Sequence, residues 1–266
     1  MLDRQTIEVP SCDLKVLRAR RTRYCIVVPA INEGARIRDQ LTRMHAAGTM
    51  KLADVIVADG GSTDGSLEPE ELRSCDVRAL LVKTGPGKLS AQLRMAYAYA
   101  LEEGYEGIVT IDGNGKDSIE SIPLFLDALD SGVDYAQASR FIAGGRAINT
   151  PFMRHWAIKL VHAPLLSFAA GRRLTDTTQG FRAYSRRYLA DPRVRPFRDV
   201  FRTYELLAYL TVRASQLGLR VVEVPTTRTY PPGEIPTKIS LRGQFSMVAI
   251  LLRTLLRQYH PRSKAS

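Results

Sequence analysis

Three short apolar runs rich in β-branched residues each break off at a polar turn, and nothing else in the chain restricts its fold as much. Tyr24-Cys25-Ile26-Val27-Val28-Pro29 gives way to Ala30-Ile31-Asn32-Glu33-Gly34. Asp54-Val55-Ile56-Val57-Ala58 runs into Asp59-Gly60-Gly61-Ser62-Thr63-Asp64-Gly65, and Gly107-Ile108-Val109-Thr110-Ile111 into Asp112-Gly113-Asn114-Gly115-Lys116-Asp117. Runs that are apolar without alternation belong to strands buried on both faces, the pattern of a parallel sheet covered by helices. Ligands of such sheets bind just beyond the carboxyl ends of the strands. A divalent cation held by the oxygens of Asp112 and Asn114 could meet a substrate diphosphate there.

The intervening segments read as helices. Asn32 or Glu33 begins one that runs through Met44. After a further strand, Ala79-Leu80-Leu81-Val82, the turn Lys83-Thr84-Gly85-Pro86-Gly87-Lys88 leads into a helix with apolar residues at 89, 93, 96, 97, 100 and 101, one helical face. Gly85-x-Gly87 lacks the third glycine of a dinucleotide turn, which excludes a Rossmann dehydrogenase, while a helix start beside Lys88 remains a candidate anion site. Ser121 is a candidate N-cap for the helix that follows, and Asp134-Tyr135-Ala136-Gln137-Ala138 is a fifth strand ending at Ser139-Arg140. The expected class is α/β with a mainly parallel central sheet.

The second half differs. Residues 151–170 read as two short amphipathic helices broken at Pro164, with Trp156 and Phe168 among basic side chains; packing on the sheet and contact with a membrane both fit. His155 and His162 have no partner at metal-ligand spacing. Thr175-Asp176-Thr177-Thr178-Gln179-Gly180-Phe181-Arg182-Ala183-Tyr184 reads as a polar loop, followed by a helix over 204–217 and a strand over 219–224 that stops at Pro225. Residues 245–257 are helical by apolar spacing and too short to span a bilayer. They either pack on the domain or lie at a membrane surface. One domain over 1–240 with an amphipathic helix and basic tail over 241–266 is the expected organisation.

With 266 residues, 45% of them hydrophobic, the chain can bury a core without cross-links. Three widely spaced cysteines fit neither a disulfide framework nor a zinc site, and the opening Met-Leu-Asp-Arg-Gln-Thr lacks the apolar core expected of a signal peptide. A cytoplasmic protein, or a peripheral one on the inner face of the membrane, is the expectation. The excess of 38 Lys and Arg over 27 Asp and Glu points to an anionic partner, either a nucleoside diphosphate or an anionic lipid surface. Aromatics are not interleaved with the basic residues, so nucleic acid is not expected.

Four stretches stand in a recognisable order: Val27-Val28-Pro29-Ala30-Ile31-Asn32-Glu33, Val57-Ala58-Asp59-Gly60-Gly61-Ser62-Thr63-Asp64, Ile111-Asp112-Gly113-Asn114-Gly115 and Thr178-Gln179-Gly180-Phe181-Arg182-Ala183. Together they resemble glycosyltransferase family 2. Ser139-Arg140-Phe141 and Glu223-Val224-Pro225 are similar to the branch that makes dolichyl- or polyprenyl-phosphate sugars. The resemblance implies a GT-A fold, a UDP- or GDP-sugar donor, Mg²⁺ or Mn²⁺, inversion at the anomeric carbon and a lipid-phosphate or glycan acceptor. On the matching positions it implies a nucleotide pocket of Pro29, Ala30, Asn32, Glu33, Asp59, Gly60, Lys88, Asp112 and Gly113, with Asp59 reading the base. Asp112 and Asn114 are the implied metal ligands. Asp176, Arg182 and Lys116 are the expected catalytic residues, Asp176 being the base if the acceptor is a hydroxyl. Arg140, Gln179, Arg228 and Lys238 are expected at the phosphate or acceptor.

Two departures qualify this. Asn114 stands where the family has a second carboxylate, with Lys116 following, so Lys116 is expected to supply part of the charge that the leaving diphosphate needs. The branch's Gly-x-Ser-Lys appears only as Gly233-Glu234-Ile235-Pro236-Thr237-Lys238. A nucleotidyltransferase, or a non-catalytic module binding nucleotide or membrane, is the competing reading.

Overall fold

The computed structural model describes residues 7–233 and 241–261. In chain order the first half contains β1 (Cys12–Val16), β2 (Tyr24–Ala30), α1 (Ala35–Ala46), α2 (Thr49–Leu52), β3 (Asp54–Asp59), α3 (Pro69–Ser74), β4 (Ala79–Lys83), α4 (Leu89–Glu102), β5 (Gly107–Thr110) and α5 (Ile122–Asp130). The second half contains β6 (Tyr135–Ser139), β7 (Arg146–Ile148), α6 (Phe152–Ala157), α7 (Ala163–Ala170), β8 (Arg182–Ser185), α8 (Arg186–Leu189), α9 (Glu205–Gln216), β9 (Val221–Pro225), β10 (Thr227–Thr229) and α10 (Leu241–Leu255).

Eight strands form one mixed sheet in the order β1-β4-β3-β2-β5-β8-β6-β9, and β7 pairs with β10 beside it. From β2 the chain builds outward through β3 and β4 on one side, then returns to lay β5 on the other. The crevice at that reversal, beyond the carboxyl ends of β2 and β5, is where open α/β sheets hold ligands. All seven residues of β2 are buried because both faces are covered. Cys25 and Val27 face a core built with α4, α7 and α9, while Tyr24, Ile26 and Val28 face one built with α1 and α5.

The structure corrects several sequence expectations. Pro29 lies within β2, opposite Ala58 of β3. Its missing N–H costs nothing there, because pairing with β5 has already ended at Val27. The Thr175–Tyr184 stretch is no surface loop, since β8 begins at Arg182 and inserts antiparallel between β5 and β6. The Ser121 hydroxyl bonds the Ser118 hydroxyl (2.8 Å) and caps nothing. α4 is buried on nearly all sides, having Arg94 in the interior paired with Asp199 at 3.0 Å.

The apolar helices are two-faced: one face packs on the domain and the other is exposed. Ile158, Ala163, Leu166 and Ala170 are buried, whereas Phe152, Met153, Leu160 and Phe168 are 66–80% exposed. A π-helical turn, Ile158–His162, joins α6 to α7. Its wider turn keeps Ile158, His162 and Leu166, each four residues apart, on the inner face. In α10, Ile250 and Leu251 enter the same core as α9, while Val248 and Leu252, and Leu256 just after the helix, are exposed. The expected boundary at 240 falls outside the described residues. No helix among the described residues is long and apolar enough to cross a membrane.

Candidate active site

The ends of β2, β3 and β5 are tied together before any ligand is considered. Gly60 N–H donates to the Ala30 carbonyl (2.8 Å) and Gly113 N–H to that of Pro29 (3.1 Å). The Asn32 side chain accepts from Thr63 N–H (2.8 Å), and Asp59 accepts from both the N–H and the hydroxyl of Ser62. Above this clasp lies a cleft of about 490 Å³ lined by Pro29, Ala30, Glu33, Gly60, Lys88, Asp112, Gly113 and Asn114, which gathers most of the expected nucleotide site. Ile31, Lys83, Gly87, Leu89, Gln92 and Tyr204 complete the lining and were not singled out in the sequence. Asn32 and Asp59 do not line it; they brace its wall. The N–H groups of Lys88 and Ser90 at the start of α4 are taken by the carbonyls of Arg202 and Thr203 (2.7 Å each). Two of the N–H groups at the expected anion site are therefore already taken, and Lys88 is exposed at the cleft.

Asp112 sits at the other end of the cleft. One of its carboxylate oxygens is 3.4 Å from the guanidinium of Arg228, which is buried and pairs with the buried Asp117 at 2.5 Å. Burial alone would lower Arg228, but Asp117 and Asp112 outweigh it and raise its pKa, so it stays charged. The other Asp112 oxygen lies against Gly180, where a Cβ would come within 2.0 Å of it. Asn114 accepts from Lys116 N–H (3.2 Å). No group of three or more His, Cys, Asp or Glu side chains suited to a metal exists among the described residues. The donor set nevertheless fits Mg²⁺ or Mn²⁺, hard ions that use one or two protein oxygens and take their remaining ligands from substrate phosphates and water.

Beside Asp112 the basic residues converge on Tyr230. The guanidinium groups of Arg228 and Arg154 each lie 5.7 Å from its ring centre, and the Lys116 ammonium lies at 5.0 Å. Burial would raise the Tyr230 phenol, yet Arg228, Arg154 and Arg140 together hold it below its ordinary value. Arg154 and Tyr230 escaped the sequence reading. The one looked like a surface charge on an amphipathic helix, and the other followed a strand-ending proline. Lys116 lines two hollows beside the cleft, one of which shares Asn114 with it.

The Asp176–Arg182 stretch is corrected most. Asp176 is fully buried, paired with Arg140 at 2.6 Å and accepting from Gln179 Nε2 at 2.7 Å. Burial would raise its pKa, but Arg140 and these hydrogen bonds hold it below the usual carboxylate range. A carboxylate so enclosed and ion-paired is not presented to an acceptor in this structure. Arg182 is equally buried, donating to the carbonyls of Gln179 (2.8 Å), Leu207 (2.7 Å) and Thr177 (3.1 Å). Gln179 is buried too, and Glu223 accepts from Thr175 N–H (2.8 Å). This stretch is a clamp that delivers Gly180 to Asp112. Arg140 keeps one buried nitrogen, Nη1, without a partner among the described residues. His162 donates to or accepts from Thr177 (2.6 Å), and burial pushes its pKa down to about 4, which leaves it neutral. Lys238 lies outside the described residues.

Comparison with known proteins agrees with this geometry. Residues 25–191 match the profile described as Glycosyl transferase family 2. The chain is 31% identical over 210 residues to the polyprenol monophosphomannose synthase of Mycolicibacterium smegmatis, covering 78% of this chain and 77% of that one. It is 30% identical over 212 residues to the undecaprenyl-phosphate mannosyltransferase of Micrococcus luteus, covering 77% and 83%. Among solved structures, glucosyl-3-phosphoglycerate synthase from Mycobacterium tuberculosis, crystallised with Mn²⁺, UDP and phosphoglyceric acid, superposes with a TM-score of 0.61 at 20% identity over 92% of this chain and 81% of that one. At that identity the likeness speaks to the fold alone.

Proposed function

The chain belongs to glycosyltransferase family 2, and from that premise we propose that it moves a hexosyl group from a nucleoside-diphosphate donor to a polyprenyl phosphate. The observation that carries the acceptor class is the convergence of Arg154 and Arg228, with Lys116, on Tyr230, directly beside Asp112. A carboxylate for a metal-bound diphosphate thus adjoins a cationic pocket suited to a second phosphate. Nucleotidyl transfer and non-catalytic binding fall away with the family assignment.

The donor lies in the cleft with its diphosphate toward Asp112 and Asn114. A divalent ion held there, when bound, neutralises the charge that develops on the leaving phosphate. The arginines orient the acceptor phosphate so that one of its oxygens attacks the anomeric carbon as the bond to the donor's β-phosphate breaks. The bonding pair leaves with the nucleoside diphosphate, and the sugar is inverted. A phosphate monoester is already largely dianionic near neutral pH, its second pKa being about 6, so no protein base is needed. This agrees with an Asp176 locked away from solvent. Purified protein with Mg²⁺ or Mn²⁺ should transfer labelled sugar from UDP-glucose or GDP-mannose to a short polyprenyl phosphate but not to the corresponding polyprenol. Equal transfer to the alcohol would overturn the acceptor assignment.

A polyprenyl acceptor resides in a bilayer, and the exposed faces of α6, α7 and α10 offer the apolar contact. On a chain of net charge +11, anionic lipid adds about 1 kcal/mol per basic side chain near the surface, screened by salt. Flotation should show binding to anionic vesicles that weakens with salt and with Phe152→Ser plus Phe168→Ser. Salt-independent binding to neutral vesicles would exclude the electrostatic part.

A further inference from the structure

Gln92, a polar residue in α4, a helix buried on nearly all sides, is only 4% exposed and lines the cleft. Its side-chain nitrogen donates to two backbone carbonyls, Ala30 at 2.9 Å and Ala58, which belong to the carboxyl ends of β2 and β3. A carbonyl only accepts, so the NH₂ end of the amide must face the strands, and its orientation follows from chemistry. The oxygen Oε1 is thereby turned away from the strands, and no donor among the described residues reaches it. The residue lines the cleft together with Gly60 and Leu89, so this oxygen is the polar atom it presents to a ligand. Asp59, the other acceptor at this end, has its carboxylate engaged by Ser62.

We propose that Gln92 Oε1 accepts a hydrogen bond from a ring N–H on the edge of the donor's base, and so selects bases that carry one. This rests on reading the cleft as the nucleotide site. Uracil offers N3–H and guanine N1–H, whereas cytosine and adenine present a bare ring nitrogen at the corresponding position. An acceptor facing that lone pair loses a hydrogen bond and gains a repulsion. Because both amide protons already go to the protein, Gln92 cannot rotate to suit the other class without giving up both of these bonds.

The test is calorimetric binding of UDP, CDP, GDP and ADP with Mn²⁺ present, to wild type and to Gln92→Leu. Wild type should bind UDP over CDP, or GDP over ADP, by about tenfold or more, and Gln92→Leu should bring that ratio close to one. A purely structural Gln92 would weaken all four alike and leave the ratio intact, which would overturn the proposal, as would a ribose contact with the same signature. Should Gln92→Leu fail to fold, wild type and base-methylated ligands decide. UDP methylated at N3, or GDP methylated at N1, should bind at least about tenfold more weakly than the parent, and equal affinity overturns the assignment. If wild type binds none of the four nucleotides, the cleft is not a nucleotide site and the proposed function fails with it. Binding with an unchanged ratio removes the Gln92 assignment alone.

Discussion

Asp112→Ala is expected to reduce sugar transfer by about a thousandfold or more while leaving the protein folded, the scale on which loss of charge stabilisation at a leaving group is felt. Asp112 is the carboxylate at the turn where the cleft meets the arginine pocket, and Asn114 beside it offers a ligand without charge. Stability should change by no more than about 1 kcal/mol, because the Asp112 side chain is 23% exposed and Arg228 keeps its closer partner Asp117. Asn114→Asp should act in the opposite direction on the ion, lowering the Mg²⁺ or Mn²⁺ concentration for half-maximal rate by several-fold. Lys116→Ala should leave that titration where it is, since its ammonium lies over Tyr230 outside the cleft. Turnover and metal titration of the three variants, with thermal midpoints as the control, check all of this. An Asp112→Ala enzyme with near-normal rate would move the diphosphate elsewhere.

What the sequence revealed follows from what strands and turns require. The central runs at 24–29, 54–58 and 107–111 were legible because a parallel strand covered on both faces must be apolar without alternation. The turns after them were legible because glycine and short carboxylates are needed where the chain leaves such a strand. β8 was not legible. Arg182-Ala183-Tyr184-Ser185 has no apolar run, and its arginine is paid for by carbonyls from α9 and the 177–179 loop that only the tertiary fold supplies. The edge strand β1, exposed at all five residues, carries no burial signal either.

The same blindness misassigned the site. Sequence displays charge but not burial, so Asp176, Gln179 and Arg182 looked like chemistry when they form a clamp. Arg154 looked like a surface charge when it faces the arginine pocket. What separates the two sets is depth, and depth depends on how the segment 152–170 and β8 return to the sheet from far along the chain.

Gly180→Ala tests that clamp directly. A Cβ at residue 180 would lie 2.0 Å from the nearer Asp112 oxygen and 2.8 Å from its carboxyl carbon, so one of the two must move. The 177–180 loop is the stiffer partner, anchored through Arg182 to three carbonyls and through Gln179 to Asp176. The carboxylate should therefore swing away from its position. A displacement of about 1 Å at a reacting centre costs on the order of a hundredfold in rate. Overpacking of this kind destabilises by about 1–3 kcal/mol, a fall of several degrees in thermal midpoint that leaves the protein folded at assay temperature. Metal half-saturation should rise as well. The sharper check is the double variant. If Gly180 acts only by holding Asp112, then Asp112→Ala with Gly180→Ala should be no slower than Asp112→Ala alone, because the group being positioned is already gone. Losses that multiply in the double variant would mean that Gly180 serves the reaction by some route other than the carboxylate it touches.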